Sequence, residues 1–329
     1  STLRTISVPS SNVASKSKQT DRADLIRRVH SSIVGYICVV QSAESGDKVG
    51  MKKGLACMAT VCTSGDSVPL RQRILDDPDL IPLSKITNQQ ILQESLSRVL
   101  IDGEPIGVCK NAHLFKLKYV NYRRTGKINA HTSIYWDFFI NELEFWLDVG
   151  RLRRPLLIVR NNINEYDADR MSGSKKVVFN QNILLTKNHI HRIMSGEMEF
   201  EQLIKDGIME YITPEEQMNC LIAQSFEYVK KEQNNVCVQY THCDIPQSVL
   251  GLIALIPPFA NHTAPARIAM STQHCKQACG WYSFSYPFRF EMNRFVQYYN
   301  EIPMAKTIAT SFLPPNGCNA MVAIAIYGG

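Results

Sequence analysis

The chain has 329 residues, 45% of them apolar, and a formal net charge of +6 from 36 Lys and Arg against 30 Asp and Glu. That length accommodates two or three domains, and that apolar fraction excludes a mostly disordered chain. The mild positive charge permits a nucleic-acid or acidic partner without requiring one, and no apolar run reaches the roughly 20 residues of a membrane span.

In chain order, "PSSNVASKSKQTD" (residues 9–21) reads as a mobile polar loop. "IVGYICVVQ" (Ile33 to Gln41) reads as a buried strand, "SAESGDKVGMKKG" as a Gly-rich polar connection, and "LACMATVC" as a second apolar strand. "NQQILQESLSRVL" has helical spacing, and Asp102-Gly103 between two apolar runs signals a hairpin. A basic helix follows, "NAHLFKLKYVNYRRTG", with Asn111 as N-cap and Gly126 as stop. Its Leu114, Leu117 and Tyr119 are expected inside, and Lys116, Lys118, Arg123 and Arg124 mostly outside. "ELEFWLDVGRLRRPLLIVR" reads as strand, turn at Gly150, strand. "EFEQLIKDG" reads as a short helix closed by Gly207, and "IMEYI" as a strand. Thr213-Pro214-Glu215-Glu216 has the form of a capping box with Pro at the first helical position. "HTAPARIAMSTQHCKQACG" (residues 262–280) reads as a helix entered at Pro265 and stopped at Gly280, in which Arg267, His274, Lys276 and Gln277 interrupt Ala, Met and Cys. The last residues, "NAMVAIAIYGG", read as an apolar strand that must pair with something outside the chain. With Ser1 at the other end, this suggests one piece of a larger assembly.

The ten cysteines are scattered and include no C-x-x-C pair. That spacing predicts no zinc site in this chain, and a chain this long without a signal peptide is not a disulfide framework. An intracellular, reducing compartment is the simplest expectation. There is no G-x-x-x-x-G-K-[ST], no G-x-G-x-x-G after a strand and no G-x-S-x-G. His274 with Cys275 or Cys279 could form a Cys–His pair, but a buried helix cysteine beside an unrelated His is the plainer alternative. A metal site from His274, Cys275, Cys279, His242 and Cys243 is disfavoured because neighbours on a helix point about 100° apart. Asp167 and Asp169 fall in a polar loop and read as solvated. Lys16, Lys18, Arg27, Arg28, Lys52, Lys53, the basic helix and Arg267 could face phosphates; for each, a solvated face or an ion pair is the alternative.

Four segments carry a resemblance. "EFWLDVGRLRRPLLIV" (Glu144 to Val159) resembles D-x-GR-x-x-RPL-x-IV, and "DGEPIGVCKN" resembles an NG-x-x-x-G segment that also precedes a basic helix. "YTHCDIPQSVLGLIALIPPFANHTAPARIAMSTQHCKQACG" resembles THCEI-x-P…G-x-x-A-x-x-IPF-x-x-H-x-x-x-x-R…KQA-x-G, and "LPPNGCNAMVAIAIYGG" resembles L-x-x-GQNA-x-VAI-x-x-Y-x-G. The four patterns are those of the second-largest subunit of multisubunit DNA-dependent RNA polymerases, the β subunit in bacteria, and the segments that resemble them follow that family's order along the chain.

The resemblance implies an α+β, mixed multi-domain fragment of that subunit, incomplete alone and completed by partner chains. Residues 1–66 would be a fork-like region with its mobile loop, 67–160 and 161–240 two external regions, and 241–329 the first part of the hybrid-binding region. Arg267 matches an arginine that contacts the phosphates of the incoming nucleotide. Lys276 and Gln277 match residues beside the RNA 3′ end and the hybrid backbone. Lys16, Lys18, Arg27 and Arg28 are the further nucleic-acid contacts expected. The implied partners are the rest of the second-largest subunit, the largest subunit, template DNA, the RNA–DNA hybrid and nucleoside triphosphates, with no membrane. Mg2+ would serve the assembled enzyme, held mainly by the largest subunit, because nothing here resembles its D-x-D-x-D cluster. The family's A-E-T-P-E-G is replaced by Gln41-Ser42-Ala43-Glu44-Ser45-Gly46, in which only Gly46 aligns, and His274 and Cys275 replace a small or apolar pair. Such divergence in a split subunit is similar to viral polymerases, those of giant bacteriophages especially, which would place the chain in a host cytoplasm. The alternatives are a non-catalytic polymerase-derived scaffold and a free-standing nucleic-acid-binding protein.

Overall fold

A computed structural model describes residues 5–7, 30–45, 48–63, 65–87, 96–167, 175–232, 238–245, 249–277, 285–288, 299–312, 315 and 317–327. It divides into two compact units, residues 1–57 with 249–329, and residues 58–248.

The first unit opens with β1 (Thr5–Ser7), β2 (Ile37–Ser45) and β3 (Lys48–Leu55), an antiparallel sheet in the order β1-β3-β2. The strand expected from Ile33 starts later, because Ser31–Ile33 forms a 3-10 turn. The expected polar connection is instead mostly strand. Pairing of β2 with β3 satisfies backbone groups on both sides of residues 46–47, and this outweighs the polar composition.

The second unit holds β4 (Thr60–Val61), α1 (Val68–Leu75), β5 (Leu80–Pro82), β6 (Ser97–Ile101), β7 (Glu104–Cys109), α2 (Ala112–Arg124), β8 (Ser133–Asp137), β9 (Glu142–Trp146) and β10 (Leu152–Asp167). It continues with β11 (Lys175–Ile183), α3 (Lys187–Met194), α4 (Gln202–Lys205), β12 (Met209–Ile212), α5 (Pro214–Gln217), β13 (Ile222–Ala223), α6 (Phe226–Lys231) and β14 (His242–Cys243). One sheet runs β5-β7-β6-β9-β8. Asp102 and Gly103, both at positive φ, turn β6 into β7 as their sequence predicts. Leu70, Ile74, Val99, Phe115, Tyr119, Ile134, Leu143 and Phe145 form the core on this sheet. A second sheet is built on β10, whose first residues pair with β4, its middle with β12 and β14, and its outer half with β11. Residues 88–95 of the expected "NQQILQESLSRVL" helix lie outside the described residues; its end, Ser97 to Leu100, is strand β6. Asp167 ends β10 rather than lying in a loop, and Asp169 lies outside the described residues.

The first unit then resumes with α7 (Pro265–Gln277) and α8 (Ile308–Ser311). No strand forms in the described residues 317–327, where an apolar strand was expected. Met321, Ile324 and Tyr327 are fully exposed there. A strand needs a neighbour for its backbone groups; Glu301 and Ile302 bond to Gly317 and Asn319, but no strand among the described residues forms a ladder with this segment. Among the described residues no helix is long and apolar enough to cross a membrane.

Candidate functional site

Helix α7 starts where Pro265 can start a helix: its missing N–H would be unsatisfied in the first turn anyway. The Ala264 carbonyl accepts from Arg267 N (2.9 Å) and Ile268 N (3.2 Å). Ile268, Ala269 and Thr272 form the buried row, and Ile268 packs with Cys38 of β2 and Ala254. Thr272 would be a buried polar misfit, but its hydroxyl donates to the Ala269 carbonyl at 2.7 Å. Close packing beneath the helix also requires Gly251, where an added Cβ would lie 2.6 Å from Gln41 Oε1 and 2.9 Å from the Leu55 carbonyl.

The opposite side of α7 is open. Arg267 is exposed, and Nη1 lies 3.8 Å from Met270 Sδ. Among the described residues no carboxylate pairs with it. A guanidinium held this way keeps its planar fork available for an oxyanion. His274 is exposed as well. The helix continues through Lys276 and Gln277, whose side chains lie outside the described residues. Lys16, Lys18, Arg27 and Arg28 lie wholly outside them. Lys52 is exposed on β3, and Lys53 is half-buried with an interaction of its own.

The basic helix turns much of its charge toward the chain's own residues. Asn111 caps α2 as predicted, its side-chain oxygen accepting from Leu114 N at 3.1 Å, and Gly126 ends it with positive φ. The buried stripe, however, is Ala112, Phe115, Tyr119 and Arg123, while Leu114 and Leu117 are exposed. Arg123 donates through Nη1 to Thr132 O (2.8 Å) and Glu216 Oε2 (2.9 Å), and through Nη2 to Glu210 Oε2 (2.8 Å) and Glu216 Oε1 (2.7 Å). Arg124 also bonds Glu210. Lys118 pairs with Asp77 and Asp79, and Lys116 donates to Asn219 Oδ1. The signal missed in the sequence is phase: Arg123 follows Tyr119 by four residues and so shares its face.

The capping box at Thr213 does not form. Ser133 and Thr213 hydroxyls bond each other at 2.6 Å, and Glu216 serves Arg123. His242, weighed above as a metal ligand, sits with Nε2 2.6 Å from Glu210 Oε1 and Nδ1 2.9 Å from Thr241 Oγ1. Burial alone would lower the pKa of His242, but its bonds to Cys220 and Glu210 and the Glu210 charge raise it to about 9. Burial works against the charge on Glu210 too, yet Arg123, His242 and Arg124 hold its carboxyl well below the usual range. Among the described residues of the second unit, Arg123, Arg124, Glu210, Glu216 and His242 thus form a buried, mutually paired ionic cluster. Among the described residues no group of three His, Cys, Asp or Glu is placed to hold a metal ion.

Four family descriptions match the chain in order: RNA polymerase Rpb2, domain 3, at residues 1–61; domain 4 at 99–160; domain 5 at 200–246; and domain 6 at 253–329. The chain is 27% identical to DNA-directed RNA polymerase II subunit RPB2 of Encephalitozoon cuniculi, over 92% of this chain and 25% of the relative. It is 28% identical to DNA-directed RNA polymerase II subunit 2 of Arabidopsis thaliana, over 92% of this chain and 25% of the relative. It is 26% identical to DNA-directed RNA polymerase subunit Rpo2 of Saccharolobus shibatae, over 92% of this chain and 26% of the relative. It therefore spans about a quarter of the length of these relatives. Helix α7 falls inside the domain 6 match, and the segments Asp102 to Asn111 and Glu144 to Val159 inside the domain 4 match. The chain belongs to the second-largest, β-type subunit family of multisubunit RNA polymerases, as a fragment that spans domains 3 to 6.

Proposed function

We propose that this chain supplies substrate contacts to a DNA-dependent RNA polymerase, in which the RNA 3′-hydroxyl attacks the α-phosphate of a nucleoside triphosphate and pyrophosphate leaves. The observation that carries this reading is Arg267, exposed on α7, without a carboxylate partner among the described residues, at the arginine position of the family motif. Phosphoryl transfer is driven chiefly by positioning and by stabilising charge on phosphate oxygens, which a guanidinium fork does well. Lys276 and Gln277, at the end of the same helix, would serve the RNA 3′ end and the hybrid backbone. Lys16, Lys18, Arg27 and Arg28 would contact nucleic acid near the fork. Backbone-directed contacts of this kind ignore base identity, as a polymerase requires.

Such an enzyme uses Mg2+, which in this reading is held mainly by the largest subunit; among the described residues no group of three His, Cys, Asp or Glu is placed to hold it. The partners in this reading are the rest of the second-largest subunit, the largest subunit, template DNA, the hybrid and nucleoside triphosphates. The chain alone is inactive. The finer reading, a split subunit of viral or bacteriophage type acting in a host cytoplasm, is supported by the departures at residues 41–46 and at His274-Cys275. The seven free cysteines among the described residues suit a reducing compartment.

The experiment is nucleotide addition by the assembled polymerase. Arg267→Ala lowers kcat/KM for nucleoside triphosphates by about a hundredfold, and Arg267→Lys recovers part of it. Unchanged nucleotide addition in Arg267→Ala would leave the chain a scaffold.

A further inference from the structure

Seven residues along an α-helix return to within about 20° of the starting direction and rise about 10 Å. Arg267 and His274 of α7 stand in that relation, and both are exposed. Met270 and Ser271, half-buried, lie between them on the same stripe, while the row opposite, Ile268, Ala269 and Thr272, is buried against the unit's own core. Among the described residues His274, like Arg267, pairs with no carboxylate. The outward stripe of α7 therefore carries two hydrogen-bonding groups, two helical turns apart, that no carboxylate among the described residues engages.

Resting on the reading of Arg267 as the triphosphate contact, we propose that His274 contacts the RNA, its imidazole N–H donating to a phosphodiester oxygen close to the RNA 3′ end. The direction follows from the helix. His274 lies C-terminal to Arg267, toward Lys276 and Gln277. The spacing of about 10 Å assigns the two side chains to successive anionic groups rather than to one. The chemistry differs in a useful way. Arg267 is permanently charged and offers several donors, which suits a triphosphate that must be seized from solution. An imidazole offers fewer N–H donors than a guanidinium, so it holds a phosphodiester in register without gripping a strand that must advance at every cycle.

The test is single-nucleotide addition by the assembled polymerase on a preformed RNA–DNA scaffold, measured against nucleotide concentration. His274→Ala lowers kcat about tenfold and leaves KM for the nucleotide within about twofold. His274→Gln, which keeps an N–H donor, recovers most of the rate. RNA carrying a methylphosphonate at one of its last three linkages slows the wild-type enzyme by the same factor at one linkage, and adds nothing to His274→Ala there. Unchanged kcat in His274→Ala, a defect confined to KM, or additive effects at all three linkages would each overturn the proposal. Arg267→Ala, run alongside, separates two failures. A raised KM in Arg267→Ala with a silent His274→Ala overturns this inference alone. A normal KM in Arg267→Ala overturns the reading of α7 on which it rests.

Discussion

Residues 58–248 and the later part of the other unit treat apolar side chains in opposite ways. In the former, Phe145 and Tyr119 are 0% exposed, and even the charged Arg123, Glu210 and Glu216 are buried and mutually paired. In the latter, Phe312 is 82% exposed, and Met304, Ile308, Met321, Ile324 and Tyr327 are exposed to a similar degree or more. Single exposed apolar residues are ordinary on a protein surface, but a run of them in one stretch marks surface meant for another chain or segment. The first region buries its core aromatics and its ionic cluster, and its one run of exposed apolar residues among those described is the short stretch Phe138, Phe139 and Ile140. The second carries side chains whose packing partners are not among the described residues, as suits a chain that spans a quarter of its relatives' length.

The largest expected effect sits in the closed region. Glu210→Gln leaves Arg123 and His242 buried without their shared carboxylate, and denaturant unfolding is expected to show a loss of about 3–5 kcal/mol. A loss below about 1 kcal/mol would mean that the cluster is open to water and that the contrast between regions is overstated. Phe145→Ala, which removes a ring from the core beside Phe115 and Tyr119, is expected to cost about 3–4 kcal/mol in the same measurement.

A smaller effect follows from pH. The folded pKa of His242 is raised to about 9, above its ordinary value of 6.5. Its contribution to stability is therefore fully present below pH 6.5 and is lost as pH rises through about 9. The urea midpoint should fall over that window in the wild type, and the fall should be shallower in His242→Gln. Equal slopes in the two proteins would remove His242 from the cluster's energetics. The smallest effect belongs to the open region: Phe312→Ser should change unfolding stability by no more than about 0.5 kcal/mol. It should instead weaken assembly with the remaining polymerase chains, measured by co-purification. A stability loss comparable to that of Phe145→Ala would show that Phe312 is covered within this chain after all.

Much of the local structure was legible. Asp102-Gly103, Asn111, Gly126, Gly207 and Pro265 each impose or relieve a specific backbone demand, and the turns and helix ends fall where they predict. Strand β12 is read correctly from "IMEYI". The errors are of a different kind. Charge without phase puts Arg123 outside, and a local window gives Glu216 to a cap, whereas the fold buries the two against each other. Both mistakes concern partners nearly a hundred residues away in sequence, which no local window contains. Composition reads residues 319–329 as a strand, but no strand ladder includes the described residues 319–327, because β-structure exists only between neighbours.

For the candidate site, the sequence by itself determined the family and the helix and put Arg267 forward, since a motif of fixed spacing on a helix needs only 3.6-residue periodicity to be placed. The tertiary structure decided which face of that helix is spent on packing. Burial of Ile268, Ala269 and Thr272 beside β2 leaves Arg267 and His274 together on the open side. It likewise decided that the basic helix α2 serves an internal ionic cluster. A charge settles where its counter-charges converge, and only the folded chain brings Glu210, Glu216 and His242 to one place.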